Sequence, residues 1–121
     1  MKKLPSIITV LFAVMLFACN SFAQDAAKVD PKHYKVEFEN DEVRVLRITY
    51  GPGEKSVMHS HPNGVAIFLT DGQGKFTLPD GKTQDQEFKS GTVIWTPESQ
   101  HQPENTGKES FEIIQIEMKN K

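Results

Sequence analysis

The chain has 121 residues, 14 basic against 16 acidic side chains and one cysteine. That balance excludes the basic patch with which proteins grip a nucleic-acid backbone. A single cysteine excludes an internal disulfide, and the length suits one hydrophobic core rather than two.

Residues 1–23 predict an export signal, because Lys2 and Lys3 precede an apolar run from Ile7 to Ala18 and Ser21-Phe22-Ala23 offers a small-x-small cleavage pattern before Gln24. The run is twelve residues long, against the ~20 that a membrane-spanning helix needs. Leu16-Phe17-Ala18-Cys19 offers a second route, a lipoprotein box that would tether the protein through lipid on Cys19, although Phe17 is bulky for its position. The expected product is periplasmic or secreted. Cleavage after Ala23 removes two lysines and no acid, which leaves 12 basic against 16 acidic residues, a net charge of −4, and no thiol.

Residues 24–34 (QDAAKVDPKHY) are polar, contain Pro31 and show no period, so they are expected to form a flexible arm with His33 exposed. The folded domain is expected over 35–121. There, short runs rich in Val, Ile, Thr, Phe and Trp alternate with turn signals: EVRVLRITY, GVAIFLT, KFTL, QEFK, VIW and FEIIQIEM, separated by stretches such as GPGEK, DGQG, PDGK and TPESQ. This pattern predicts seven or eight strands in an all-β sandwich or barrel with almost no helix. Asp80-Gly81 marks the tightest hairpin. Val65, Ile67 and Leu69 share one face of their strand and Ala66 and Phe68 the other. Phe76, Val93, Trp95, Ile114 and Ile116 are expected in the core, with Trp95 also walling a pocket. Arg44 and Arg47 lie on opposite faces of an early strand and are expected at the surface; an inward Arg47 could pair with an acidic substrate.

The chemistry concentrates in two segments. In VMHSHPNG, His59 and His61 alternate on a strand, so both rings point to one face ~7 Å apart along the backbone. Such a pair alone is more often polar surface than a metal site, and two imidazoles need a third ligand. His101, in TPESQHQPEN, is the candidate, 40 residues beyond His61. Gln100, Gln102 and Glu104 flank it; one of them could hold a ligated imidazole by a hydrogen bond, while Gln102 and Glu104 read best as a solvated loop. Asn105 is expected to satisfy backbone groups in a turn.

GEKSVMHSHPNGVAIFLTDG resembles the first cupin motif, with Gly53, His59, His61 and Gly72 in its positions. GTVIWTPESQHQPEN resembles the second, with Gly91, Pro97, His101 and Asn105. The resemblance spans about residues 36–118 and implies a cupin-type antiparallel β-barrel, a double-stranded β-helix or jelly roll. It further implies one divalent transition metal (Fe, Mn, Zn, Ni or Cu) on His59, His61 and His101, a small-molecule ligand or substrate, and a homodimer. This sequence departs from the pattern at Val65 and Ala66, where the family usually carries a glutamate ligand, and at Ser99, where glycine is common. The interval from Pro97 to His101 is also one residue short. Cupins with three histidines include dioxygenases, so a dioxygenase-like or isomerase activity is one expectation, a non-catalytic ligand- or metal-binding module another, and a structural dimer a third. No general base is identified, and no phosphate-cradling glycine loop points to nucleotide chemistry.

Overall fold

A computed structural model describes residues 24–120; the segment expected to be an export signal, with Cys19, lies outside them. Among the described residues nine strands follow one short helix, α1 (Ala26–Val29): β1 (Tyr34–Glu39), β2 (Val43–Tyr50), β3 (His59–His61), β4 (Gly64–Phe68), β5 (Gly72–Thr77), β6 (Thr83–Phe88), β7 (Val93–Thr96), β8 (Ser99–Asn105) and β9 (Phe111–Met118). A five-stranded sheet in the order β1-β2-β9-β4-β7 faces a four-stranded sheet in the order β3-β8-β5-β6. All strand pairs are antiparallel. The predicted all-β class and cupin-type barrel are what the chain adopts.

Period-2 alternation carries the core. In β2, Leu46, Ile48 and Tyr50 are buried; in β4, Ala66 and Phe68; they meet Phe88, Phe111 and Ile113 between the sheets. The hairpin at Asp80-Gly81 forms as expected, with the Gly81 N–H donating to Leu78 O (2.9 Å) and Gly81 at φ 85°, where a side chain would be strained. Gly64 is required for a different reason: a Cβ there would stand 2.2 Å from the carbonyl oxygen of Ile116.

Four expectations are corrected. In FEIIQIEM apolar residues occupy both parities, and the structure turns Phe111, Ile113, Gln115 and Glu117 inward, leaving Ile114 and Ile116 half-buried on the outer face. Pairing decides this, because β9 lies between β2 and β4 and shares their inward phase. In β7, Ile94 pairs with Ala66 on the inner face, so Val93 and Trp95 fall outside and are 60% and 58% exposed. Residues 24–34 are not a loose arm. Ala26 is fully buried, the Ser60 N–H donates to Gln24 O (2.8 Å), and Asp25 caps α1 by accepting from the Ala27 N–H (3.0 Å). Finally His33, expected exposed, is 5% exposed and stacks on Tyr50 with ring centroids 4.2 Å apart.

Candidate metal centre

β3 and β8 pair with His59 opposite His101, which brings the later histidine to the earlier two. The three imidazoles offer ligand nitrogens that all lie within 4.8 Å of one another, and ring centroids are 4.9 Å apart for His59–His61 and His59–His101 and 5.2 Å for His61–His101. His59 and His61 are buried.

The hydrogen bonds fix which nitrogens face the centre. His59 Nδ1 lies 2.9 Å from the carbonyl oxygen of Val57, which only accepts, so Nδ1 carries the proton. His61 Nδ1 likewise donates to Glu117 Oε2 at 2.8 Å. With Nδ1 donating on each ring, the two Nε2 atoms face each other 3.1 Å apart. His101 Nε2 is buried with no hydrogen-bond partner. Three ring nitrogens gathered this closely make a point that a cation can occupy, and two ligands ~2.1 Å from one ion at tetrahedral or right angles stand ~3.0–3.4 Å apart, as His59 and His61 already do.

Burial first, and the neighbouring imidazoles second, hold the His59 ring well below its ordinary range, at about 4; the same causes push His101 down to about 3. At neutral pH both are neutral and available as ligands. In the unfolded chain the same rings gain protons near 6.5, so below that pH the unfolded state takes up protons that the folded state refuses, and stability falls as pH falls. The metal-free protein is thus expected to lose melting temperature between about pH 6.5 and 4, and the His59→Gln/His101→Gln double variant to lose markedly less over that interval. Circular dichroism melts at several pH values check this; parallel curves for the two proteins would refute it.

A carboxylate backs the site, from a segment other than the one where the family usually carries its glutamate. Glu117, buried in β9, accepts from His61 with one oxygen and from Arg44 with the other (Nε 2.8 Å, Nη2 2.6 Å). Arg44 in turn grips Asp25 with two hydrogen bonds of 2.6 and 2.7 Å. Arg44 is therefore an inward, half-buried residue rather than a surface one. Arg47 stays outside, paired with Glu37 and Glu112. On the other flank, Ser56 Oγ donates to Asp30 Oδ2 (2.5 Å), which also accepts from His33 Nδ1 (2.6 Å), and Ser56 Oγ lies 3.3 Å from His59 Nδ1. Residues 24–34 thus reach His61 through Arg44 and Glu117, and His59 through Ser56. The residues flanking His101 do other work: Gln102 donates to Ser56 O (3.0 Å) and Glu104 faces Lys75 (3.5 Å). Asn105 satisfies backbone as expected, donating to Tyr50 O and Glu109 O.

Beside the imidazoles a cavity of about 320 Å³ opens between the sheets, with His61 and His101 in its wall. Phe68, Phe76, Phe88, Phe111 and Ile113 are among its apolar lining residues, and Trp95 also lines it. A second, more open concavity on the far side of His61 is lined by Asp25, Arg44, Glu98, Glu117 and Lys119.

Compared with known proteins, residues 46–117 match the family model described as a cupin domain. This chain belongs to the cupins. Among solved structures, this cupin is similar to a cupin domain protein from Bordetella pertussis Tohama I, with 25% identity and a TM-score of 0.67 over 72% of this chain and 92% of that one. A cupin family protein with a double-stranded β-helix fold from Methanocaldococcus jannaschii shares 20% identity, TM-score 0.54, over 74% and 83% of the two chains. A cupin superfamily protein from Desulfitobacterium hafniense shares 17% identity, TM-score 0.53, over 72% and 76%. No curated protein matches. The family model begins at Leu46, so the docked segment that backs His59 and His61 lies outside it. Among the described residues no helix is long and apolar enough to cross a membrane.

Proposed function

We propose that this cupin is exported, to the periplasm or beyond, and holds one divalent transition metal through His59, His61 and His101 to bind a small organic molecule in the adjoining cavity. The observation that carries the reading is the meeting of three imidazoles whose ligand nitrogens lie within 4.8 Å of one another, one of them a buried Nε2 with no partner. A bound ion would supply Lewis-acid or oxygen-activating chemistry with coordination positions open to the cavity. The chain's own contribution is to orient two rings, through Val57 O and Glu117, and to keep His59 and His101 neutral by burial. Dioxygenase-like oxidation and isomerisation are the reaction classes that suit such a centre.

A second reading, a non-catalytic binding module, is favoured by the cavity wall. Among its lining residues there is no Asp, Glu, Lys or Cys to serve as general base or nucleophile; Glu117, behind His61, is committed to His61 and Arg44. Tethering through lipid on Cys19 is the alternative to a freely exported product.

Elemental mass spectrometry on the purified, tag-free protein tests the metal centre. About one equivalent of a first-row ion per chain is expected after incubation with excess metal and desalting; trace amounts only would overturn the proposal.

A further inference from the structure

The cavity beside the histidines has a composition unlike the rest of the molecule. Charged residues make up 25% of the chain, yet none of the cavity's lining residues is Asp, Glu, Lys or Arg. The charged groups nearest the imidazoles, Glu117 and Arg44 with its second partner Asp25, are paired with one another and line the concavity on the opposite side of His61. A ligand carrying charge on its body would lose water here and meet no counter-charge, a cost of several kcal/mol for an unpaired ion. A polyol would fare little better, because most of its hydroxyls would lie against ring faces.

Those faces are presented in a set. Phe68 stacks on Phe88 at 5.0 Å, Phe88 meets Phe111 at 4.9 Å, and Phe76 lies 4.4 Å from the His101 ring. Its polar groups are the imidazoles of His61 and His101, neutral amides such as Gln84, Gln86 and Gln100, and the hydroxyls of Tyr34, Tyr50, Thr96 and Ser99, of which the two tyrosines bond each other. The volume, about 320 Å³, is roughly twice that of an apolar cavity of ~150 Å³ known to hold benzene.

We infer that the cavity takes an uncharged aromatic molecule of one or two rings, its ring body among the phenylalanines and an oxygen-bearing end toward His61 and His101. The inference rests on reading the imidazoles as the polar end of the site, and it deepens the proposed function by naming the ligand class. Adjacent oxygens at that end would add chelation when a metal is present.

Isothermal titration of the metal-free protein separates the ligand class from the metal. The probes are 2-naphthol, 2-naphthalenesulfonate and glucose. Saturable binding of 2-naphthol is expected, with the sulfonate about tenfold weaker or worse and no detectable glucose binding. Ile94→Glu places a charge on the inner face of β7, at a residue 43% exposed that lines the cavity, and is expected to weaken 2-naphthol by about tenfold. Gln84→Glu, at an exposed position of β6 lining the same cavity, is the second variant should the first fold poorly. In metal-loaded protein, 2,3-dihydroxynaphthalene is expected to gain over 2-naphthol. Equal binding of the sulfonate, preference for glucose, or 2-naphthol binding indifferent to both variants would overturn the inference. Naphthol binding by a protein that never takes up metal leaves this ligand class standing and sinks the metal centre; stoichiometric metal without naphthol binding does the reverse.

Discussion

His101→Ala is expected to cut bound metal from about one equivalent to below ~0.1, while the metal-free variant melts within a few degrees of the unaltered protein. The two remaining ligands come from one strand and two imidazoles make a weak site, so the loss should be near complete. Stability should change little for a separate reason. In the metal-free protein His101 Nε2 is buried and unpartnered, and such a group costs about 1–3 kcal/mol; its removal relieves that cost and offsets the lost packing against Phe76. A misfolded variant would lose both properties together, so elemental analysis paired with a thermal melt distinguishes ligand loss from collapse. Stoichiometric metal in the variant would end the proposal that three imidazoles share one ion.

Glu117→Ala is expected to damage stability and metal affinity together. Its carboxylate is the shared acceptor for His61 Nδ1 and for Arg44. Deleting one member of a buried ion pair leaves the other uncompensated, at about 3–5 kcal/mol; the second grip of Arg44 on Asp25 argues for the lower end. Removing the acceptor that orients a ligating imidazole typically costs 10–100-fold in metal affinity. Urea denaturation reads the first effect and competition with a chelator the second. Glu117→Gln keeps the shape and one carbonyl acceptor, so it should recover much of the stability and less of the affinity. Unchanged affinity in both variants would mean that Glu117 serves packing alone.

Much of this fold could be read along the chain because its signals are local. Asp80-Gly81 makes its turn wherever it sits, and short β-branched runs between glycines and prolines have few alternatives to strands. The alternation of His59 and His61 on one face is equally local, and the two motifs carry His101 with them. Where apolar residues fell on both parities, the chain offered no phase: Ile114 and Ile116 looked as apt for the core as Phe111 and Ile113, and Trp95 more apt than Ile94. Only the register of β9 against β2 and β4, and of β7 against β4, assigned the faces.

What the sequence determined by itself was the all-β barrel, the cupin motifs and the identity of the three histidines, since each depends on residues a few positions apart or on spacing within a motif. Tertiary structure alone decided that a polar segment before Tyr34 docks against β3, that Arg44 turns inward, and that the site's carboxylate is Glu117, 56 residues beyond His61. A buried charge is stable only beside its partner. Partners that far apart are chosen by strand pairing, which a single line of residues does not contain.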